Sequence, residues 1–231
     1  MELPILYEDA DLVVIDKPSG LMTHADGRLE LETETAESWF KEKYPEVILE
    51  RPYVHRLDRE TSGVLVFAKN ENAHEFLRKA FTDRDVRKTY LALVYGAPQE
   101  REGVIDFDIG RSRKDFRLRS AQPKAKGRLR EALTRYKVLG EIGQGSKKFA
   151  LLEVSPETGR THQIRVHLKA IHHSVVCDPL YAPKHPAVLG LTRLALHAHK
   201  LDLPLPSGGR VEIVAPVPGD LRPAFSKAAS F

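Results

Sequence analysis

The sequence predicts an α+β fold, with a mixed, largely antiparallel central sheet and flanking helices. Three observations predict it. Strand-like segments outnumber helical ones, and several follow one another with only a short polar connection between them. Gly63 to Ala68 (GVLVFA) is an almost continuous apolar run, as in a strand buried on both faces. Only two or three segments carry a helical apolar stripe.

The elements follow in order. Ile5 to Tyr7 and Leu12 to Ile15 read as short strands joined by a tight polar connection, and Lys17-Pro18-Ser19-Gly20 closes the second with turn chemistry. Thr35 to Tyr44 reads as a helix stopped by Pro45. Asn70 is placed to cap a helix whose apolar stripe is Ala73, Phe76, Leu77, Ala80 and Phe81. Thr89 to Tyr95 reads as a strand. Further strands are expected at Val104 to Phe107, Ala132 to Leu139, Phe149 to Val154, Leu194 to Leu201 and Val211 to Val214. Thr161 to Ile171 reads as a helix with an apolar side of Ile164, Leu168 and Ile171. Its basic side, His162, Arg165, Lys169 and His172, can meet an anion or stand as a solvated face.

The chain has 231 residues, 42% of them apolar and 29% charged, enough for a sizeable core. No internal repeat or low-complexity linker divides it, and a single domain over 1–231 is expected. No run approaches the roughly 20 apolar residues of a membrane span. The acidic start, MELPILYEDADL, lacks the pattern of a secretory leader. The one cysteine, Cys177, excludes an internal disulfide. A cytoplasmic protein is expected, and a monomer, since no surface apolar stripe is evident.

The net charge is only +4, but it is unevenly placed. Arg111, Arg113, Lys114, Arg117, Arg119, Lys124, Lys126, Arg128 and Arg130 fall in one stretch with a single acid, Asp115. That composition suits a phosphate-binding surface or a solvated loop. Glu30 to Glu50 is acid-rich and unsuited to a polyanion.

Three constellations can carry chemistry. In His55-Arg56-Leu57-Asp58-Arg59-Glu60-Thr61-Ser62-Gly63 one acid sits between two arginines, ahead of the buried strand. Neighbouring positive charge favours a charged carboxylate, which can serve as nucleophile or base. A structural Asp–Arg network is the alternative. Glu157 to His167 (ETGRTHQIRVH) places a glycine turn before a cation-rich helix, an arrangement that favours anions. Arg87 to Ala92 (RKTYLA) offers Tyr90 either as packing or as a flat surface for a base.

Together, HRLDRETSG (His55 to Gly63), RKTYLALV (Arg87 to Val94) and ETGRTHQIRVHL (Glu157 to Leu168) resemble the RluA family of RNA pseudouridine synthases. The opening Ile5 to His24 is similar to the family's first hairpin and its KPSG turn, and Leu189 to Pro206 to its closing strand. The resemblance implies the pseudouridine synthase catalytic fold. It implies Asp58 as the catalytic aspartate, Tyr90 as the tyrosine that stacks on the target uracil, and Arg165 as the basic partner of Asp58. It implies Arg56 as the residue that fills the RNA stack left by the flipped base. The hairpin begins at residue 4, so the chain resembles the short, catalytic-domain-only branch, without a separate N-terminal RNA-binding domain.

The implied reaction detaches uracil from its glycosidic nitrogen and reattaches it through carbon 5. Substrate and product contain the same atoms, so no cofactor is expected. Asp58 would attack the sugar or remove its 2′ proton. RNA phosphates would be gripped by Arg56, Arg59, Arg113, Arg117, Arg119, Arg160, His162 and Lys169. The partner is then RNA, tRNA and/or large-subunit rRNA, with no membrane and no obligate protein partner. Two other readings compete. The ten histidines suggest a metal-dependent hydrolase, but their spacing gives no ligand set, and no metal is expected. A non-catalytic RNA-binding or ribosome-assembly module fits the basic stretch but has no need of Asp58.

Overall fold

A computed structural model describes all residues except 26–33, 114, 116–117, 122–124, 144–146, 230–231 and the side chain of Lys126. In chain order its elements are β1 (Ile5–Glu8), β2 (Leu12–Lys17), α1 (Ala36–Lys43), β3 (Ser62–Ala68), α2 (Glu71–Thr82), β4 (Arg87–Tyr95), β5 (Glu102–Asp106) and β6 (Ile109–Arg111). There follow β7 (Arg119–Ser120), β8 (Lys126–Arg130), β9 (Leu133–Ile142), β10 (Phe149–Pro156), α3 (Gln163–Ala170), β11 (Leu196–Pro204), β12 (Arg210–Val214) and α4 (Arg222–Ala229). The α+β class and the mostly antiparallel pairing hold. The chain forms two compact units, Met1–Lys88 with Ala198–Pro216, and Thr89–His197 with Val217–Phe231.

In the first unit, the Asp9 carboxylate accepts the Asp11 and Leu12 amides at 2.8 and 2.9 Å, folding β1 back on β2. Every residue of β3 is buried, and it pairs antiparallel with β2, Lys17 opposite Gly63. Leu12, Val14, Val64 and Val66 share a core with Ala73, Leu77 and Ala80 of α2 and with Leu201, Leu203 and Ile213. Asn70 caps α2 by accepting the Ala73 amide, as its position predicts. Phe76 of the expected stripe is exposed instead. Thr35 and Ser38 cap α1 reciprocally. Gly63 has a φ of 115°, and a Cβ there would lie 2.1 Å from the Ala198 carbonyl oxygen, so only glycine lets the backbones approach so closely.

In the second unit, β4, β10, β9 and β5 pair antiparallel in that order. Leu93, Leu151, Leu152 and Val138 pack there with Leu221, Ala224, Phe225 and Ala228 of α4 and its lead-in. Two features have no sequence expectation behind them. One is α4, whose short apolar pattern follows a proline-rich approach. The other is a separate antiparallel sheet, ordered β7-β6-β8, inside the basic stretch read as loop. Its strands are two to five residues long and rich in charge, which hides them from pattern reading.

Candidate active site

Lys17, at the end of β2, is fully buried. Its ammonium donates to the carbonyls of Pro18, Leu21 and Arg59 at 2.9, 2.7 and 3.2 Å. The Arg59 carbonyl also accepts the Gly20 amide at 2.8 Å, and Arg59 Nε returns a bond to the Gly20 carbonyl at 3.0 Å. Ser19 Oγ donates to the Glu60 carbonyl at 2.7 Å. On the other flank, Thr23 Oγ1 donates to the Leu57 carbonyl at 3.0 Å and accepts the Leu57 amide at 3.1 Å. The backbone is therefore held on both sides of Asp58, a half-buried residue whose carbonyl accepts the Thr61 amide at 3.1 Å. The Lys-Pro-Ser-Gly turn does more than end a strand: it grips the loop that bears the acid.

Arg56 and Arg59 are exposed beside Asp58 in sequence. Arg56 Nη1 lies 3.3 Å from His24 Nε2, and the His24 ring stacks on Tyr53. His55 turns inward. Its Nε2 accepts the Val66 amide at 3.2 Å and its ring stacks on Phe81. Burial, with a smaller contribution from Lys88, pushes its pKa down to about 3. Burial, and then Arg84, lowers Lys88 to about 8.

In the second unit, α3 is narrower than predicted and opens on His162, in the left-handed region at φ 57°. Gln163 anchors its start. Its side-chain oxygen accepts from Thr158 Oγ1 and the Arg160 amide, and its nitrogen donates to the Leu133 carbonyl and Thr134 Oγ1. The expected basic side is corrected in one respect. Arg165 is fully buried, because its guanidinium forms a two-pronged ion pair with the equally buried Asp178, Nε and Nη2 each 2.8 Å from a carboxylate oxygen. Lys169 and His172 are exposed, and His162 is half-buried.

The Arg165–Asp178 pair leads to Tyr181. Asp178 Oδ1 accepts the Leu180 and Tyr181 amides, both at 2.9 Å. The Tyr181 ring lies under two cations, Arg165 at 5.2 Å and Lys169 at 5.4 Å from its centroid. The Tyr181 hydroxyl accepts the Arg119 amide at 2.9 Å and lies 2.9 Å from His162 Nδ1. The Arg119 backbone amide and the side chains of His162, Arg165 and Lys169 thus converge on one tyrosine. Asp178 and Tyr181 were not singled out from sequence, although Asp178-Pro179 is a turn signal. Arg160 is half-buried, with Nε bonded to the Glu131 carbonyl at 2.9 Å. Arg113 is exposed, and Arg117 lies outside the described residues. Tyr90 stands half-buried in β4, opposite Val154.

Several histidines are engaged within the fold. His167 bonds Thr134 Oγ1 and the Phe107 carbonyl, His173 the Tyr95 carbonyl, and His199 the Ala215 carbonyl. Among the described residues no three His, Cys, Asp or Glu side chains group as a metal site. No helix there is long and apolar enough to cross a membrane.

The sequence profile of the RNA pseudouridylate synthase family matches residues 11–170. With the HRLD loop and the α3 motif in place, the chain belongs to the RNA pseudouridine synthase family, a family of isomerases. It is 42% identical over 229 residues to an RNA pseudouridine synthase of Mycobacterium bovis, covering 96% of this chain and 72% of that one. It is 38% identical over 227 residues to one of Synechocystis, covering 94% of this chain and 66% of that one. The solved structure of human RNA pseudouridylate synthase domain containing 1 superposes with a TM-score of 0.76 at 30% identity, over 94% of this chain and 84% of that one.

Proposed function

We propose that this chain converts specific uridines to pseudouridine in tRNA and/or large-subunit rRNA, with Asp58 as the catalytic carboxylate. The observation that carries the reading is the double grip on the Asp58 loop by Lys17 and Ser19 on one flank and Thr23 on the other. A carboxylate that must meet a flipped nucleotide gains most from a backbone fixed before substrate arrives. Extruding the uridine costs a few kcal/mol of unstacking. Arg56 filling the vacated stack and Tyr90 stacking on the uracil offset part of that cost.

Arg165 is the cationic partner of Asp58 in this reading, and Asp178 fixes its guanidinium. Phosphates around the target are held by Arg59, Arg113, Arg117, Arg119, Arg160, His162 and Lys169. The reaction rearranges one nucleotide and needs no cofactor. The protein acts in the cytoplasm as a monomer, as one catalytic domain, without an obligate protein partner.

The test is pseudouridine mapping of tRNA and rRNA transcripts incubated with the wild-type protein and with Asp58→Ala. Pseudouridine at defined sites with the wild type and none with the variant supports the reading and names the substrate. Product from Asp58→Ala overturns the role of Asp58. Binding to both RNA pools without isomerisation by the wild type overturns the activity.

A further inference from the structure

Tyr181 lies where two parts of the second unit meet. Its ring is buried among Ile109 of β6, Ala121, Ala132 and Val166 of α3. Its hydroxyl takes the backbone amide of Arg119, in β7 of the basic sheet, and faces His162 at the opening of α3. Its ring face carries Arg165 and Lys169. Its own amide is fixed by Asp178, the residue that grips Arg165. One side chain thus touches the basic sheet through its oxygen and the buried guanidinium through its ring.

We propose that Tyr181 is a positioning residue that couples the basic sheet to the reaction centre. Its hydroxyl sets the register of β7, and so the placement of cations for RNA, while its ring holds Arg165 in the plane that Asp178 defines. This rests on the reading of Arg165 and the basic sheet given above. The two functions reside on different atoms of the residue, and so are separable. Removing the oxygen leaves the Arg119 amide without its acceptor and loosens β7, but leaves the cations on the ring. Removing the ring also frees the guanidinium to tilt about its Asp178 contact.

The experiment compares Tyr181→Phe and Tyr181→Leu with the wild type. RNA affinity and the single-turnover rate of pseudouridine formation at saturating RNA are measured on the transcript identified by the mapping. Circular dichroism reports the folded fraction. Tyr181→Phe is expected to weaken RNA binding about tenfold, the effect of losing one or two buried hydrogen bonds, and to lower the rate by a smaller factor. Tyr181→Leu is expected to lower the rate about a hundredfold with little further loss of affinity. Wild-type affinity and rate in both folded variants, or losses no larger than the loss of folded protein, overturn the proposal. If the wild type makes no pseudouridine, the proposed activity fails by itself. The affinity of Tyr181→Phe for the pooled transcripts then still decides the hydroxyl's role: unchanged affinity overturns it.

Discussion

Asp178 meets Arg165 through both carboxylate oxygens, and neither side chain has any surface in contact with solvent. A buried pair of this kind is costly to break on one side, because the remaining charge has no water to compensate it. Asp178→Ala is therefore expected to destabilise the protein by about 3–5 kcal/mol. Urea unfolding of the variant checks this. A loss within about 0.5 kcal/mol, the usual range for a surface change, would mean that the charge of Arg165 is balanced elsewhere.

Lys17 is the second buried cation, and its ammonium donates to backbone carbonyls on both sides of the grip, those of Pro18, Leu21 and Arg59. Lys17→Met keeps the aliphatic stem and removes the donor. The expected cost is about 2 kcal/mol, concentrated in the loop. Hydrogen exchange should show the Gly20, Leu57 and Thr61 amides opening at least about tenfold more often, while the helix α2 amides slow or speed only with global stability. Uniform acceleration across the whole unit would show that Lys17 serves the fold and not the loop.

His55 gives a pH signature. Its Nε2 accepts the Val66 amide, so that nitrogen carries no proton in the fold, and burial lowers its pKa from 6.5 to about 3. Between those values the unfolded chain takes up a proton that the native state refuses. The stability associated with His55 is fully present above pH 6.5 and is lost as pH falls toward 3, at no more than about 1.4 kcal/mol per pH unit. His167, also lowered by burial, acts in the same direction. Urea unfolding at pH 7 and pH 5, for the wild type and His55→Phe, separates the two: the variant should lose less stability on acidification. Equal losses in both proteins would assign the acid sensitivity to other groups.

RNA affinity should fall with salt if the basic sheet meets phosphates. Arg113, exposed beside that sheet, is the simplest probe. Arg113→Ala is expected to flatten the slope of log affinity against log salt by about 0.7–0.9, the value for one lost phosphate contact. An unchanged slope removes Arg113 from the RNA-binding surface.

What the sequence made legible was local. Asn70 announces its helix through a side chain three residues from the amide it caps, and Ser62–Ala68 announces a buried strand by uninterrupted apolarity. The HRLD loop was legible as a motif, but its grip was not. Lys17 reaches Arg59 across 42 positions, and no periodicity connects them. The same holds for Tyr181 and Arg119, 62 apart, whose bond joins a side chain to a backbone amide that any residue type could supply. Arg165 shows how pattern can mislead: it shares a helix side with exposed cations, yet a carboxylate 13 residues on draws it inside.

The first unit is assembled from two separate stretches of the chain, Met1–Lys88 and Ala198–Pro216. Leu201, Leu203, Ile213 and Ala215 of the later stretch complete the core that Leu12, Val14, Val64 and Val66 begin. On a ribosome the opening strands must wait, half-covered, while the intervening stretch is translated, a delay on the order of ten seconds at ordinary elongation rates. The grip on the Asp58 loop needs only residues between Lys17 and Thr61, so it can assemble early in that interval. The nascent protein thus makes the cradle of its acid before it can finish the wall behind it, and a chaperone that shields exposed strands has its work in the time between.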